Sequence, residues 1–258
     1  MATSQLIEGI LAAATAAGLV DSARAEALRA GVSARSVGIQ QSGRVSETAL
    51  IWLWGALADL AGGHRVGAEL AAFAGASAWG VVAEAALHAV SLTDAFERVA
   101  RYVRLAVEGV RIGVDVNDRS FTVTYRLLGS GANPSSGAAA AAMLWANANL
   151  ALLPERAFGV RLRPVSAELA CVAPGDTGGV IADIFGTDVE FGTADWRLVF
   201  ERTAVLAVSR PIASSALAYI DAYAERALSD APAIDDIVGV VAAEVRGRLA
   251  GGPPTVAE

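Results

Sequence analysis

The feature that most constrains this chain is a change of period at Gly109. Before it, Leu92, Ala95, Phe96, Val99, Val103 and Ala106 recur at three- and four-residue intervals, which lines one side of a helix. After it, Val110, Ile112, Val114 and Val116 alternate with Arg111, Gly113 and Asp115, which is the period of a strand. Asn117-Asp118-Arg119 makes a turn, and Phe121, Val123, Tyr125 and Leu127 resume the alternation. Ser91 is placed to cap the helix, and Asp94 stands three residues on, where a capping box puts an acid. Asp94 to Arg98 and Glu97 to Arg101 are acid-before-base pairs four apart, the favoured order on a helix. A helix that feeds a half-polar hairpin predicts an α+β domain, predominantly helical, with a small antiparallel sheet of about four to six strands whose one face meets water.

The rest of the chain supplies helices around that centre. Residues 4–17 and 21–30 read as two Ala-rich helices, the second ended by Gly31. Residues 31–44 read as a polar loop. Ser46 caps a helix over 47–61, stopped by Gly62-Gly63. An apolar segment covers 66–76, and 80–90 (GVVAEAALHAV) is a short apolar helix whose polar groups, Glu84 and His88, share a face. A Gly/Ser/Pro connector (129–137) leads to an Ala-rich helix ended by Pro154. One or two short strands lie in 158–173. Asp176 caps a helix to about 185, strands follow at 187–191 and 195–200 around a turn, and two helices at 212–228 and 234–249 close the chain before a Gly-Gly-Pro-Pro linker.

Bulk properties exclude several function classes. The net charge is -7, so the chain is a poor direct binder of nucleic-acid phosphates. One cysteine, Cys171, rules out a disulfide framework and a cysteine-built zinc site, and a core thiol is its expected state. The longest uncharged run, 127–154, is broken by Gly, Ser, Asn and Pro, and no basic segment precedes the first apolar run. No membrane partner and a cytoplasmic location are therefore expected. No cofactor is expected: Gly129-Ser130-Gly131 lacks the third glycine of a dinucleotide loop, and Glu84, His88 and His64 lack a further metal ligand.

Residues 80–105, 110–127 and 185–200 (FGTDVEFGTADWRLVF), in that order, together with 250–258 (AGGPPTVAE), resemble the N-terminal effector-binding domain of AraC-type transcription regulators. The resemblance covers most of the chain from about residue 45. Members of that family continue into two helix-turn-helix units, whereas this chain stops at Glu258. The resemblance implies a sensing and dimerising domain over 1–250: N-terminal helices (1–61), a central α+β core (62–205) and C-terminal helices (206–250). Residues 251–258 would begin the linker to a DNA-binding part, through which alone DNA would be met. It further implies a small, largely apolar effector with one polar or charged end, and no catalysis.

For that effector the sequence offers Trp79, His88, Arg101, Tyr102 and Trp145: aromatic groups in apolar segments, and polar groups near the ends of the central helices. A homodimer through the C-terminal helices is expected from Ile212, Leu217, Ile220 and Tyr223, and from Ile237, Val240, Val241 and Val245. Two other readings stay open. One is a small hydrolase or isomerase using Glu84, His88 or Cys171, although no nucleophile, base and orienter can be read together. The other is a protein-interaction module that binds no small molecule.

Overall fold

The computed structural model describes residues 1–36, 43–127, 137–175, 179–186, 189–210 and 215–230. The connector at 129–136, Asp176, Ile212, the helix expected at 234–249 and the linker lie outside the described residues. The fold is α+β. Eleven helices are described, with a two-stranded and a five-stranded sheet.

The helix of the period change, α6 (Leu92–Ala106), forms as its residues dictate. The Ser91 hydroxyl accepts from the Asp94 backbone N–H at 3.1 Å, and Asp94 accepts from the Val90 N–H at 3.0 Å, so two otherwise orphaned donors are satisfied. Arg98 closes on Asp94 at 2.7 Å. Arg101 does not take Glu97; its partner is Glu225, far along the chain. Strands β3 (Val110–Val116) and β4 (Ser120–Leu127) follow as the expected hairpin, Val110 opposite Leu127.

The larger sheet runs β3-β4-β7-β5-β6, with β5 (Ser166–Leu169), β6 (Val189–Phe191) and β7 (Trp196–Glu201). Sequence alone makes β6 and β7 look like a hairpin. Instead β5 sits between them, antiparallel to β7 and parallel to β6. Helix α6 lies on one face of the sheet. Its Phe96 stands 5.3 Å from Phe121 and 5.4 Å from Phe200, ring centre to ring centre, and these two face each other across β4 and β7. All three rings are buried. Each tilted pair adds about 0.5–1.5 kcal/mol beyond burial.

The remaining helices wrap this centre: α1 (Ser4–Ala16), α2 (Ser22–Ala34), α3 (Glu47–Ala61), α4 (Val66–Phe73), α5 (Val81–Leu87), α7 (Gly137–Ala151), α8 (Leu153–Phe158), α9 (Val180–Phe185), α10 (Arg202–Ala207) and α11 (Ser215–Asp230). Ser46 caps α3 as expected, accepting from the Ala49 N–H at 3.0 Å. Ala2–Thr3 and Arg44–Val45 pair as two short strands, β1 and β2, the second beginning at the end of what reads as loop.

Helix α2 runs past Gly31, which does not end it. A Cβ at Gly31 would stand 2.2 Å from the Trp52 ring, so the glycine is there to let α3 approach. Gly67 serves α4 and α7 likewise, where a Cβ would meet the Ala141 carbonyl oxygen at 1.9 Å. Helix α7 is buried on nearly all sides, as its uncharged sequence requires. Pro154 does not merely end it. It sits in the first turn of α8, where a missing N–H costs nothing.

Two hydrophobic clusters result. The larger joins the N-terminal helices, α7, α6 and the sheet. The smaller joins Val82 and Ala85 of α5, Tyr102, Leu105 and Ala106 of α6, and Ala224 of α11.

Candidate functional site

A cavity opens where α5, α6, α7, α8 and the sheet fail to close on one another. Helix α5 contributes Val82, Ala83, Ala86 and Leu87, and α6 contributes Val99. The sheet gives Ile112 and Tyr125, α7 gives Ala146, Asn149 and Leu150, and α8 gives Leu153 and Arg156. Gly75 and Trp79 come from the turn before α5. The short side chains of Ala83, Ala86 and Ala146 leave this space. It offers about 60 Å³ to the centres of water-sized spheres.

The wall is apolar apart from four side chains. Asn149 Nδ2 donates to the Trp145 carbonyl at 2.7 Å, and its Oδ1 accepts from Arg156 at 2.5 Å. Arg156 also donates to the Ala71 carbonyl. Burial lowers the Arg156 pKa, with Glu155 acting the other way. Tyr125 is 4% exposed, and burial raises its hydroxyl pKa well above the usual value. The Trp79 indole N–H is buried without a partner. Among the described lining residues there is no Asp, Glu, His, Cys, Ser or Thr.

Of the five residues offered by the sequence, Trp79 lines the cavity. Trp145 is buried one turn behind the wall, its ring 5.6 Å from that of Trp54. His88 caps the end of α5, half-exposed, with Nε2 3.7 Å from Glu84, and neither lines the cavity. Arg101 is 61% exposed at its side chain and pairs with Glu225 at 2.7 Å. The Tyr102 hydroxyl donates to the same carboxylate at 2.7 Å, and burial, then that bond, pushes it up to about 12. Arg101 and Tyr102 therefore face α11 instead of the cavity.

His64 binds the Val172 carbonyl at 3.0 Å. Cys171 is fully buried, its thiol pushed up to about 12 by burial. Among the described residues no three His, Cys, Asp or Glu side chains are grouped to hold a metal, and no helix is long and apolar enough to cross a membrane.

Arg156, Tyr125 and Asn149 were not singled out in the sequence. Tyr125 reads as one more apolar strand position. Arg156 and Glu155 are the first charges after the long uncharged run, and that abrupt return of charge was the available signal.

An apolar cavity with a few polar groups, set between helices and a sheet, is the form that small-molecule pockets commonly take. The family model for the arabinose-binding domain of AraC transcription regulators, N-terminal, matches residues 22–207, and the chain belongs to that family of ligand-sensing regulatory domains. The crystal structure of the transcriptional regulator CdpR from Pseudomonas aeruginosa is similar at 15% identity and a TM-score of 0.49. The likeness covers 81% of this chain and 66% of that one, slightly under two thirds of its length. No curated protein matches the sequence.

Proposed function

We propose that this chain senses a small effector for an AraC-type transcription regulator in the cytoplasm. Residues 1–250 form the sensing and dimerising unit, and DNA is met only through a helix-turn-helix part reached by the 251–258 linker. The chain is not an enzyme. The effector is largely apolar with one polar or charged end, and it occupies the cavity beside Trp79.

The observation that carries this reading is the position of α5. Val82, Ala83, Ala86 and Leu87 face the cavity, while Val82 and Ala85 pack in the cluster that seats α11. Trp79, Val82 and Val99 touch both. A ligand that displaces α5 must therefore disturb the seat of α11, the last helix among the described residues. It switches the protein only by binding one arrangement better than the other. Tyr219 and Tyr223, one turn apart on α11 and 80% and 65% exposed, are available for the dimer contact.

A thermal-shift screen of small acids, alcohols and amines tests the site. A true effector raises the Tm of the wild type, because it binds only the folded form. In Ala83→Leu, which fills the cavity, the same compound gives little or no shift. A compound whose shift survives Ala83→Leu binds elsewhere and contradicts the assignment.

A further inference from the structure

The polar chemistry of the cavity is one-sided. The Asn149 amide is engaged at both ends, donating to Trp145 and accepting from Arg156, which leaves it one N–H and one lone pair. The other polar groups are the Trp79 N–H, the Tyr125 hydroxyl and the unused N–H groups of Arg156, so donors outnumber acceptors. The indole and the guanidinium can only donate. The Trp79 nitrogen is buried and unpartnered, and the Tyr125 hydroxyl has no hydrogen bond among the described residues.

Arg156 is also short of a counter-ion. Its two bonds go to neutral oxygens, of Asn149 and Ala71, and no carboxylate stands within 4 Å of it among the described residues. Other arginines of this region find acids: Arg98 has Asp94 and Asp221, and Arg163 takes Glu155 at 2.6 Å. Glu155 is thus committed away from its own neighbour. A half-buried guanidinium that bonds only neutral oxygens, with the Glu155 charge acting on it from a distance, gains from an occupant that brings an anion into contact.

We propose that the effector is a small carboxylic acid, with Arg156 as the counter-ion of its carboxylate and its apolar body against Val82, Ile112 and Leu150. The donors of Trp79 and Tyr125 serve the oxygens. The inference rests on the reading of the cavity as the effector site and sharpens it. A carboxylate suits a guanidinium because both are planar and bond in pairs. The cavity measures about 60 Å³, less than the roughly 150 Å³ that encloses a benzene ring, and it is open on one side, where the rest of an acid of benzoate size would extend.

The test is calorimetric titration of the 258-residue chain with benzoate, benzyl alcohol and benzylamine, three probes of one shape. Benzoate is expected to bind about tenfold or more tightly than the alcohol, given the strength of charge-assisted bonds, and the amine weakest. Arg156→Gln removes the preference for acid over alcohol. Tyr125→Phe weakens benzoate severalfold without lowering Tm, since the hydroxyl has no bond to lose.

Equal binding of acid and alcohol by the wild type overturns the carboxylate inference while leaving the effector site standing. So does a preference that persists in a folded Arg156→Gln. If Arg156→Gln does not fold, the wild-type order decides: acid, alcohol, amine supports the inference, and amine first overturns it. Binding of none of the three contradicts the effector site itself, and the inference falls with it.

Discussion

The two hydrophobic clusters of this protein are built by different rules. The large one is closely packed at its centre: Phe96, Phe121, Phe200, Trp196 and Leu198 are fully buried, and the β4–β7 register fixes the four that lie on the sheet. The small one, under α11, has an apolar strip and a polar border. Arg98 reaches Asp221, Arg101 and Tyr102 share Glu225, and Arg104 donates to the Leu228 carbonyl at 3.0 Å. Close packing is rigid, and any void in it is costly. A seam bordered by partly hydrated ion pairs costs less to open and reform. The cavity is walled by both, with Ile112, Tyr125 and Leu150 from the large cluster and Val82 from the small one.

Predictions that break this contrast rank by size. Phe96→Ala removes a ring that two others lean on and leaves a cavity that the sheet cannot fill. It is expected to cost about 3–5 kcal/mol of global stability in chemical denaturation. A loss under about 1 kcal/mol means that the centre is not the rigid part.

Arg98→Met breaks the links to Asp94 and Asp221 while keeping the aliphatic length. The pair is half-buried, between the exposed and the buried cases, so about 1–2 kcal/mol is expected. The loss should appear as faster hydrogen exchange across α11 more than across β4. Equal loosening of both removes the distinction between the clusters.

The smallest effect is that of pH. Arg101, then Tyr102, hold the Glu225 carboxyl below its usual range. A carboxyl lowered in the folded state stabilises above its unfolded value, about 4.3, and that contribution disappears as pH falls through the lower folded value. Below pH 4, α11 should therefore lose protection before the sheet does. Glu225→Gln should abolish the difference between pH 6 and that range at α11. If the sheet opens first, the seam is not the weaker element.

These two regions also differ in how far the sequence discloses them. The α6 stripe, its Ser91 cap and the β3–β4 alternation are local patterns, and each folds as its residues require. The pairing of β5 between β6 and β7 is set by contacts far apart in the chain, so two neighbouring strands suggest a hairpin that does not form. Of the five residues that the sequence offers for an effector, Trp79 is the one in the cavity wall. Arg101 and Tyr102 look available on an isolated α6, and only the arrival of α11, more than a hundred residues later, turns them into its seat. Arg156 hides for the converse reason. A basic residue in a short helix reads as solvated, and only the packing of α8 against α5 and α7 half-buries it. Gly31 misled for a related reason: it reads as a helix stop, yet it answers to Trp52 on another helix.

The central claim is that the cavity and α11 are joined through α5. Hydrogen exchange with and without saturating benzoate, followed separately over Val81–Leu87, Ser215–Asp230 and Ser120–Leu127, tests it directly. Protection is expected to rise on α5 and α11 together, to change little on β4, and not to change in Ala83→Leu. Protection that rises on α5 while α11 stays as it was would contradict it, because the ligand would then be bound without being felt by the helix that must carry the signal.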